Sequence, residues 1–320
     1  MNPLYLAEKF APYTSSADAF AAVDERYTAS MLGATIETWA ANLGDVVPTD
    51  EMAIRFPVAS LSGWGYQQYQ GENRFRSYSG KDFVLKTEEF QEGYEEYLRK
   101  LQKDPLAARQ WALWGERLPM METDLVNSTI GAALVAGTTT NGIDGAAFFS
   151  AAHGNYQSAA TPFNIANLIT EAGLMASQTD GNGRTLGVKA DTILTSNGLF
   201  FPATLAVSQA LMSSGGVAVD NPFKGAFAVV SANNLPNAGT PGNSDWYLID
   251  STMVSKGLPP WVIVRGTGAT TGEGSATGLR RWDTDTDFFK NHSRIRVSSH
   301  IDYGFSLGFH PGIRKIKGAV

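Results

Sequence analysis

The segment from residue 51 to residue 90 places the strongest constraint on how this chain can fold. Ile54, Phe56 and Val58 alternate with other residues at its start, and Phe83 and Leu85 continue an alternation at its end. Aromatic, Arg, Gln, Ser and Gly residues dominate between them. This pattern predicts a long two-stranded ribbon. An isolated hairpin is only marginally stable in water and this one carries few apolar side chains, so the ribbon needs a partner surface.

The same ribbon holds the candidate functional residues of the chain. Trp, Tyr and Arg side chains are the ones that most often anchor protein–protein interfaces. We therefore predict that the ribbon contacts another subunit. The subunit-interface candidates are Trp64, Tyr66, Tyr69, Arg74, Phe75, Arg76, Tyr78 and Lys81.

The rest of the chain mixes helical and strand patterns, which indicates an α+β fold. Residues 1–50 have too few apolar positions for a core of their own and are predicted to form an arm that packs on another surface. Residues 88–137 are predicted to be mostly helical, with Asp104 as N-cap, a break or kink at Pro119 and Gly137 as C-cap. Further helices are predicted at 162–175 and 200–212, and strands at 191–196, 226–230, 246–250, 261–265 and within 287–309.

Composition excludes several classes of protein. The 320 residues are 43% hydrophobic, which is typical of a folded chain with one large or two ordinary domains. There is no cysteine, so disulfides and thiolate sites are excluded. No apolar run reaches the roughly 18 residues that span a bilayer, and the N-terminal sequence does not have the pattern of a signal peptide, so we expect no membrane partner.

Charge argues against sequence-specific nucleic-acid binding, because such proteins are normally basic and the net charge here is −6. The C-terminal region is nevertheless locally basic. This cluster is interpreted either as a solvated surface or as a patch that faces a polyanion or an acidic neighbouring subunit. Its members are Arg280, Arg281, Lys290, Arg294, Arg296, Arg314, Lys315 and Lys317.

A search for catalytic, cofactor-binding or metal-binding residues predicts none of the three. Asp144 and His153 could form a carboxylate–imidazole pair, but a turn aspartate and a structural histidine are the favoured interpretation. The acidic run Asp283, Asp285 and Asp287 lacks the glycine and glutamate of an EF-hand loop. The glycines near 181–183 and 266–274 lack the spacing of nucleotide-binding loops. Glutamates between residues 88 and 96 are attributed to the start of a helix, where the helix dipole favours acidic side chains.

Several segments, in the same order, resemble the major head subunit of Mu-like phages (the T protein family). FAAVDERYTASM, the hairpin segment LSGWGYQQYQGENRFRSYSGKDFVLKTEEF and the central DGAAFFSAAHGN are similar to family segments. A turn with Gly181, Gly183, Arg184, Leu186 and Gly187 follows, then ADTILTSNGLFFPA, WYLID and DYGFSLGFHPG. The pair Trp111 and Trp114, Pro119 and the basic ending RKIKGAV depart from the family pattern.

The resemblance implies the HK97-like capsid fold. Its parts would be an N-terminal arm (1–50), an extended E-loop hairpin (51–90), a peripheral domain with a long spine helix (91–137), an axial domain (138–278) and return strands of the peripheral domain (279–320).

The same resemblance implies a structural function without a cofactor. The chain would be a major capsid protein, made in the bacterial cytoplasm, whose pentamers and hexamers form an icosahedral virion shell around double-stranded DNA without sequence-specific binding. Scaffold, decoration and portal proteins are partners that the resemblance allows. Two alternatives stay open at this point, an encapsulin-like compartment shell and a soluble enzyme such as a hydrolase that uses His153.

Overall fold

The structure of the chain is a computed structural model that describes residues 12–33, 38–49, 51, 53–57, 82–142, 145–179, 185–214, 217–221, 223–236, 244–266 and 279–318. Its helices are α1 (Ser16–Gly33), α2 (Trp39–Leu43), α3 (Leu98–Lys103), α4 (Pro105–Ala136), α5 (Ile165–Ala176), α6 (Asn197–Ser208), α7 (Thr252–Ser255) and α8 (Asp287–His292). Its strands are β1 (Asp45–Thr49), β2 (Ala53–Pro57), β3 (Asp82–Lys86), β4 (Glu88–Tyr97), β5 (Tyr156–Gln157), β6 (Thr192–Thr195), β7 (Leu211–Ser214), β8 (Val217–Asp220), β9 (Ala228–Ser231), β10 (Trp246–Ile249), β11 (Trp261–Gly266), β12 (Leu279–Trp282), β13 (Arg294–Leu307) and β14 (Ile313–Ile316).

Helix α4 is the longest element and begins and ends where the sequence predicts. The side chain of Asp104 accepts a hydrogen bond from the backbone N–H of Leu106 at 2.9 Å, and Gly137 forms the C-cap. The helix continues through Pro119, so the predicted break there is wrong, and a kink at this residue stays a prediction. An internal proline costs a helix about 3 kcal/mol, and here that cost is offset because α4 packs on its N-terminal half against α1 and on its C-terminal half against both sheets.

The first sheet has the strand order β1-β11-β13-β12, with β4 also paired to β13. Strand β4 pairs with β13 along its whole length, from Glu88 opposite Tyr303 to Tyr97 opposite Arg294. The predicted helix at 88–97 is therefore wrong, and so is the helix-dipole explanation of its glutamates. A long partner strand outweighs the helix preference of the glutamates, and the ring of Tyr94 packs 5.5 Å from that of Trp111.

The second sheet has the order β5-β14-β10-β6-β9 and is covered on both faces. Tyr247 and Ile249 of β10 belong to the main hydrophobic core, which also contains residues of the C-terminal half of α4. Trp246 and Leu248 of the same strand face a separate cluster formed with α5 and α6. Because neighbouring strand residues point to opposite faces, α4 lies on one side of this sheet and α5 and α6 lie on the other.

The two sheets interleave along the chain. Strand β11 lies beside β13 in the first sheet, although its residues fall within the predicted axial range, and β14 lies in the second sheet, although its residues fall within the predicted return strands. At the other end, α1 packs on α4 of the same chain, where the indole N–H of Trp111 donates to the carbonyl of Ala19 at 2.9 Å. The division into arm, peripheral and axial parts stays a prediction.

Candidate assembly surfaces

The base of the predicted ribbon is a two-stranded hairpin stem fixed to the first sheet. Strands β2 and β3 pair antiparallel, from Ala53 opposite Lys86 to Pro57 opposite Asp82. Leu85 is buried in a small cluster with Val262 and Val264 of β11. A Cβ atom on Gly304 of β13 would lie 2.6 Å from the carbonyl oxygen of Lys86, so only glycine allows this close approach. The stem of the ribbon is thus anchored by packing rather than by hairpin pairing alone.

The eight interface candidates all fall between the two strands of this stem, within residues 58–81. They lie outside the described residues, and their contact with another subunit stays a prediction.

The basic cluster is largely paired within the chain. Six of its eight members form ion pairs with acidic residues. Glu95, for example, accepts hydrogen bonds from Arg294 at 2.6 Å and Arg296 at 2.7 Å, and the bond from Arg296 is the main cause that holds the pKa of Glu95 below its ordinary value. These contacts link β4 to β13. They favour a neutralised surface over a patch built for a polyanion.

A carboxylate, an imidazole and a hydroxyl form a hydrogen-bonded row on the outer face of the first sheet. Nδ1 of His300 lies 2.6 Å from Oε1 of Glu89, and Nε2 of His300 lies 2.9 Å from Oγ of Ser298. The hydrogen bond to His300 lowers the pKa of Glu89. Ser298 and His300 line a cavity of about 510 Å³ together with Arg280 and Trp282.

This row has the residue types of a catalytic triad but not its surroundings. Ser298 lies in a strand flanked on both sides, opposite Gly93 of β4 and Arg280 of β12. Backbone N–H groups of a central strand are engaged in its ladders, and acyl transfer needs free donors beside the nucleophile. We therefore interpret the row as a structural hydrogen-bond network that links β4 to β13, next to the stem of the hairpin.

The other residues singled out for chemistry have structural contacts. The ring of His153 stacks on that of His310 with centroids 3.9 Å apart, and its Nδ1 lies 3.1 Å from the carbonyl oxygen of Phe148. Asp144 lies outside the described residues. Asp283 takes part in a turn, and Asp287 stands in the first turn of α8.

Neither metal clusters nor membrane spans are found in the part of the chain that the structure describes. No three His, Asp or Glu side chains in these ranges are grouped so that they could hold a metal ion. No helix in the same ranges is long and apolar enough to cross a membrane.

Sequence reasoning missed a second candidate surface, on helices α5 and α6. Phe201 and Leu205 of α6 are 77% and 57% exposed, and Ile169 and Leu174 of α5 are each 44% exposed. Large apolar side chains grouped on a surface are typical of protein–protein contacts. The available signal was the near absence of charged residues from both helices.

Comparison with known proteins identifies the fold. No protein-family model matches the chain, and no curated protein matches it. The holo-SrpI encapsulin complex from Synechococcus elongatus PCC 7942 is similar in structure, with a TM-score of 0.51 and 11% sequence identity over 89% of each chain. The capsid of cyanophage P-SCSP1u is similar with a TM-score of 0.50 and 11% identity, over 87% of this chain and 86% of that chain. The chain therefore has the HK97-like fold, and the prediction of an α+β chain with this fold is confirmed.

Proposed function

We propose that this protein is a shell-forming major capsid subunit. In the finer form of the proposal it is the head protein of a Mu-like phage, and its pentamers and hexamers form an icosahedral virion shell around double-stranded DNA. The observation that carries the proposal is the HK97-like fold combined with a hairpin stem that is anchored on the first sheet and leads into residues 58–81. The residue types of that segment are those that anchor interfaces.

The energetics of such a chain favour assembly. A ribbon with few apolar side chains gains little by folding on itself, whereas obligate interfaces bury on the order of 2,000–5,000 Å². At roughly 25 cal/mol per Å² of apolar surface, burial on this scale offsets the entropy lost when the ribbon is ordered. In a shell with closed symmetry, the interface surfaces of every copy are covered by neighbouring copies. The acidic net charge of −6 is compatible with DNA enclosed without specific binding, because packaged DNA carries counterions.

The test is negative-stain electron microscopy beside size-exclusion chromatography of the chain expressed alone. Shells, tubes or hexameric capsomers are the expected result. A monodisperse monomer of 34.4 kDa at all salt concentrations, also when a phage scaffold protein is co-expressed, would contradict the proposal.

The interface candidates are tested in the same assay. Trp64→Ala and Arg74→Glu should reduce assembly while the unassembled chain unfolds at the wild-type urea midpoint, because both residues are proposed to contact a neighbouring subunit. Lys290→Ala is the control, since the Lys290 side chain is exposed and its ion pair with Asp287 is exposed too. Equal assembly of all three variants would remove the ribbon from the proposed interface.

An encapsulin-like compartment is the second candidate, and it is favoured by the structural similarity to the SrpI encapsulin. The two candidates differ in what the particle encloses. Particles purified from a phage-producing culture should carry nuclease-protected DNA if the capsid proposal is correct. Particles with protein cargo and no nucleic-acid absorbance would favour the compartment. Scaffold, decoration and portal proteins, virion localisation and synthesis in the host cytoplasm belong to the capsid proposal and are tested by mass spectrometry of the same particles.

A further inference from the structure

The structure points to a contact surface for a second copy of this chain on the exposed faces of helices α5 and α6. We propose that this surface is buried between neighbouring subunits. The inference rests on the proposed shell function and adds to it a surface separate from the hairpin.

The first observation is the amount of apolar side chain on this surface. Phe201 and Leu205 are one helical turn apart on α6, and they are 77% and 57% exposed. An aromatic side chain offers about 200 Å² of surface, so Phe201 alone presents about 150 Å² to solvent. Ile169 and Leu174 add two further apolar side chains on α5.

The second observation is the absence of exposed charge. Helices α5 and α6 are each 12 residues long, and the only charged residue in either is Glu171. That side chain is buried and accepts a hydrogen bond from Arg314 of β14 at 2.7 Å. Surface helices of soluble proteins normally carry charges on the face turned to solvent.

The two longest helices in the described residues, α1 and α4, do carry exposed charges, so the lack of charge on α5 and α6 is a local property. Helix α1 exposes Asp18, Glu25 and Arg26. Helix α4 exposes charged residues along its length, namely Arg109, Glu116, Arg117 and Asp124.

The two uncharged faces belong to one side of the molecule. Leu168 and Met175 of α5 and Leu199 and Val207 of α6 pack into one hydrophobic cluster on the second sheet. Their exposed faces are therefore both turned away from the same face of that sheet.

The charge of the chain indicates that the partner at this surface is a second copy. With a net charge of −6, copies of the chain repel one another, and like charges brought together at a contact cost free energy. An uncharged apolar face is a place where two copies can meet without opposing like charges. A strongly acidic or basic partner would find no charge to recognise there.

The experiment introduces one negative charge into this surface and compares it with a matched position elsewhere. Phe201→Glu and Leu205→Glu are the test variants. Leu106→Glu is the control, because Leu106 is 60% exposed and lies on α4, whose solvent face already carries charges. Urea unfolding of each unassembled chain comes first and should give no midpoint below that of wild type. Leu106→Glu places an acidic side chain in the first turn of α4, where the helix dipole favours it. Light scattering and electron microscopy of the purified chains then measure the assembled fraction.

We expect both test variants to lower the assembled fraction by about tenfold or more, because an unpaired charge in a desolvated contact is strongly unfavourable, while Leu106→Glu assembles as wild type. Wild-type assembly of the two test variants overturns this inference and leaves the surface to another occupant, such as cargo or a decoration protein. An equal loss in Leu106→Glu also overturns it, since any added charge would then have the same effect. If the wild-type chain forms no larger species at any salt concentration, also with a scaffold protein co-expressed, the shell proposal itself fails, and that result is distinct from both others.

Discussion

Helix α1 is held against helix α4 at a glycine, and replacing that glycine measures how tight the contact is. A Cβ atom on Gly115 would lie 2.5 Å from the backbone oxygen of Val23 and 3.0 Å from its Cγ1. The backbone of α1 would have to move, and overpacking of this kind costs about 1–3 kcal/mol. Alanine in a helix interior is favoured over glycine by about 0.5–1 kcal/mol. The difference between these two contributions is a loss of up to about 2.5 kcal/mol, so Gly115→Ala should lower the free energy of unfolding by about 1 kcal/mol.

Gly173→Ala is the matched control. Gly173 also lies inside a helix, α5, but apart from the backbone of its own helix and its chain neighbours no heavy atom lies within 4 Å of the position its Cβ would occupy. Only helix propensity acts there, so this variant should gain about 0.5–1 kcal/mol. Urea unfolding of the unassembled chain, followed by circular dichroism and by the fluorescence of buried tryptophan, measures both changes. Stabilisation of both variants by the same amount would refute the packing of α1 on α4 described above.

Two further predictions concern charged groups. Glu171→Gln should lower the free energy of unfolding by about 3–5 kcal/mol, because it leaves the buried guanidinium of Arg314 without its charged partner. Urea unfolding measures this change. A loss below about 1 kcal/mol would contradict the prediction and show that the ion pair is hydrated. Glu89 should contribute stability that depends on pH, because the hydrogen bond to His300 lowers its pKa in the folded chain below the ordinary 4.5. This contribution is complete at pH values above the pKa of Glu89 in the unfolded chain. It is lost as the pH falls through the lower pKa that Glu89 has in the folded chain. Glu89→Gln should be less stable than wild type at neutral pH, and the two urea midpoints should converge in acid; a difference independent of pH would contradict this.

Local signals predicted the parts of the fold that local chemistry decides. The ends of α4 follow from an N-cap aspartate before a proline and from a terminal glycine, and both caps are present. Short apolar runs bounded by Gly, Pro and Asn predicted β6, β10 and β11, because a buried strand needs little more than such a run and its turns.

Strand β4 shows where this reasoning failed. Its glutamates favour a helix, and its apolar residues Phe90 and Tyr94 are four apart, which fits a helix as well as a strand. Its partner β13 begins at Arg294, about 200 residues later in the chain, so no local window contains the interaction that decides its conformation. The parallel pairing of β1 with β11 and the place of β14 in the second sheet depend on similarly distant contacts.

The two proposed interfaces differ in how far the sequence could predict them. The ribbon is predicted to be an interface because its composition is not that of a hydrophobic core, and a segment that cannot bury itself must be covered by another surface. Helical spacing of apolar residues predicted helices at 162–175 and 200–212 without indicating which side of each faces solvent. Only the packing of Leu199 and Val207 onto the second sheet leaves Phe201 and Leu205 on the outside. An apolar residue in a sequence does not say which side of its helix faces solvent. The absence of charged residues is more informative, because a helix at a solvated surface needs polar residues on its solvent-facing side. A helix that lacks charged residues is therefore expected to be covered on both of its sides.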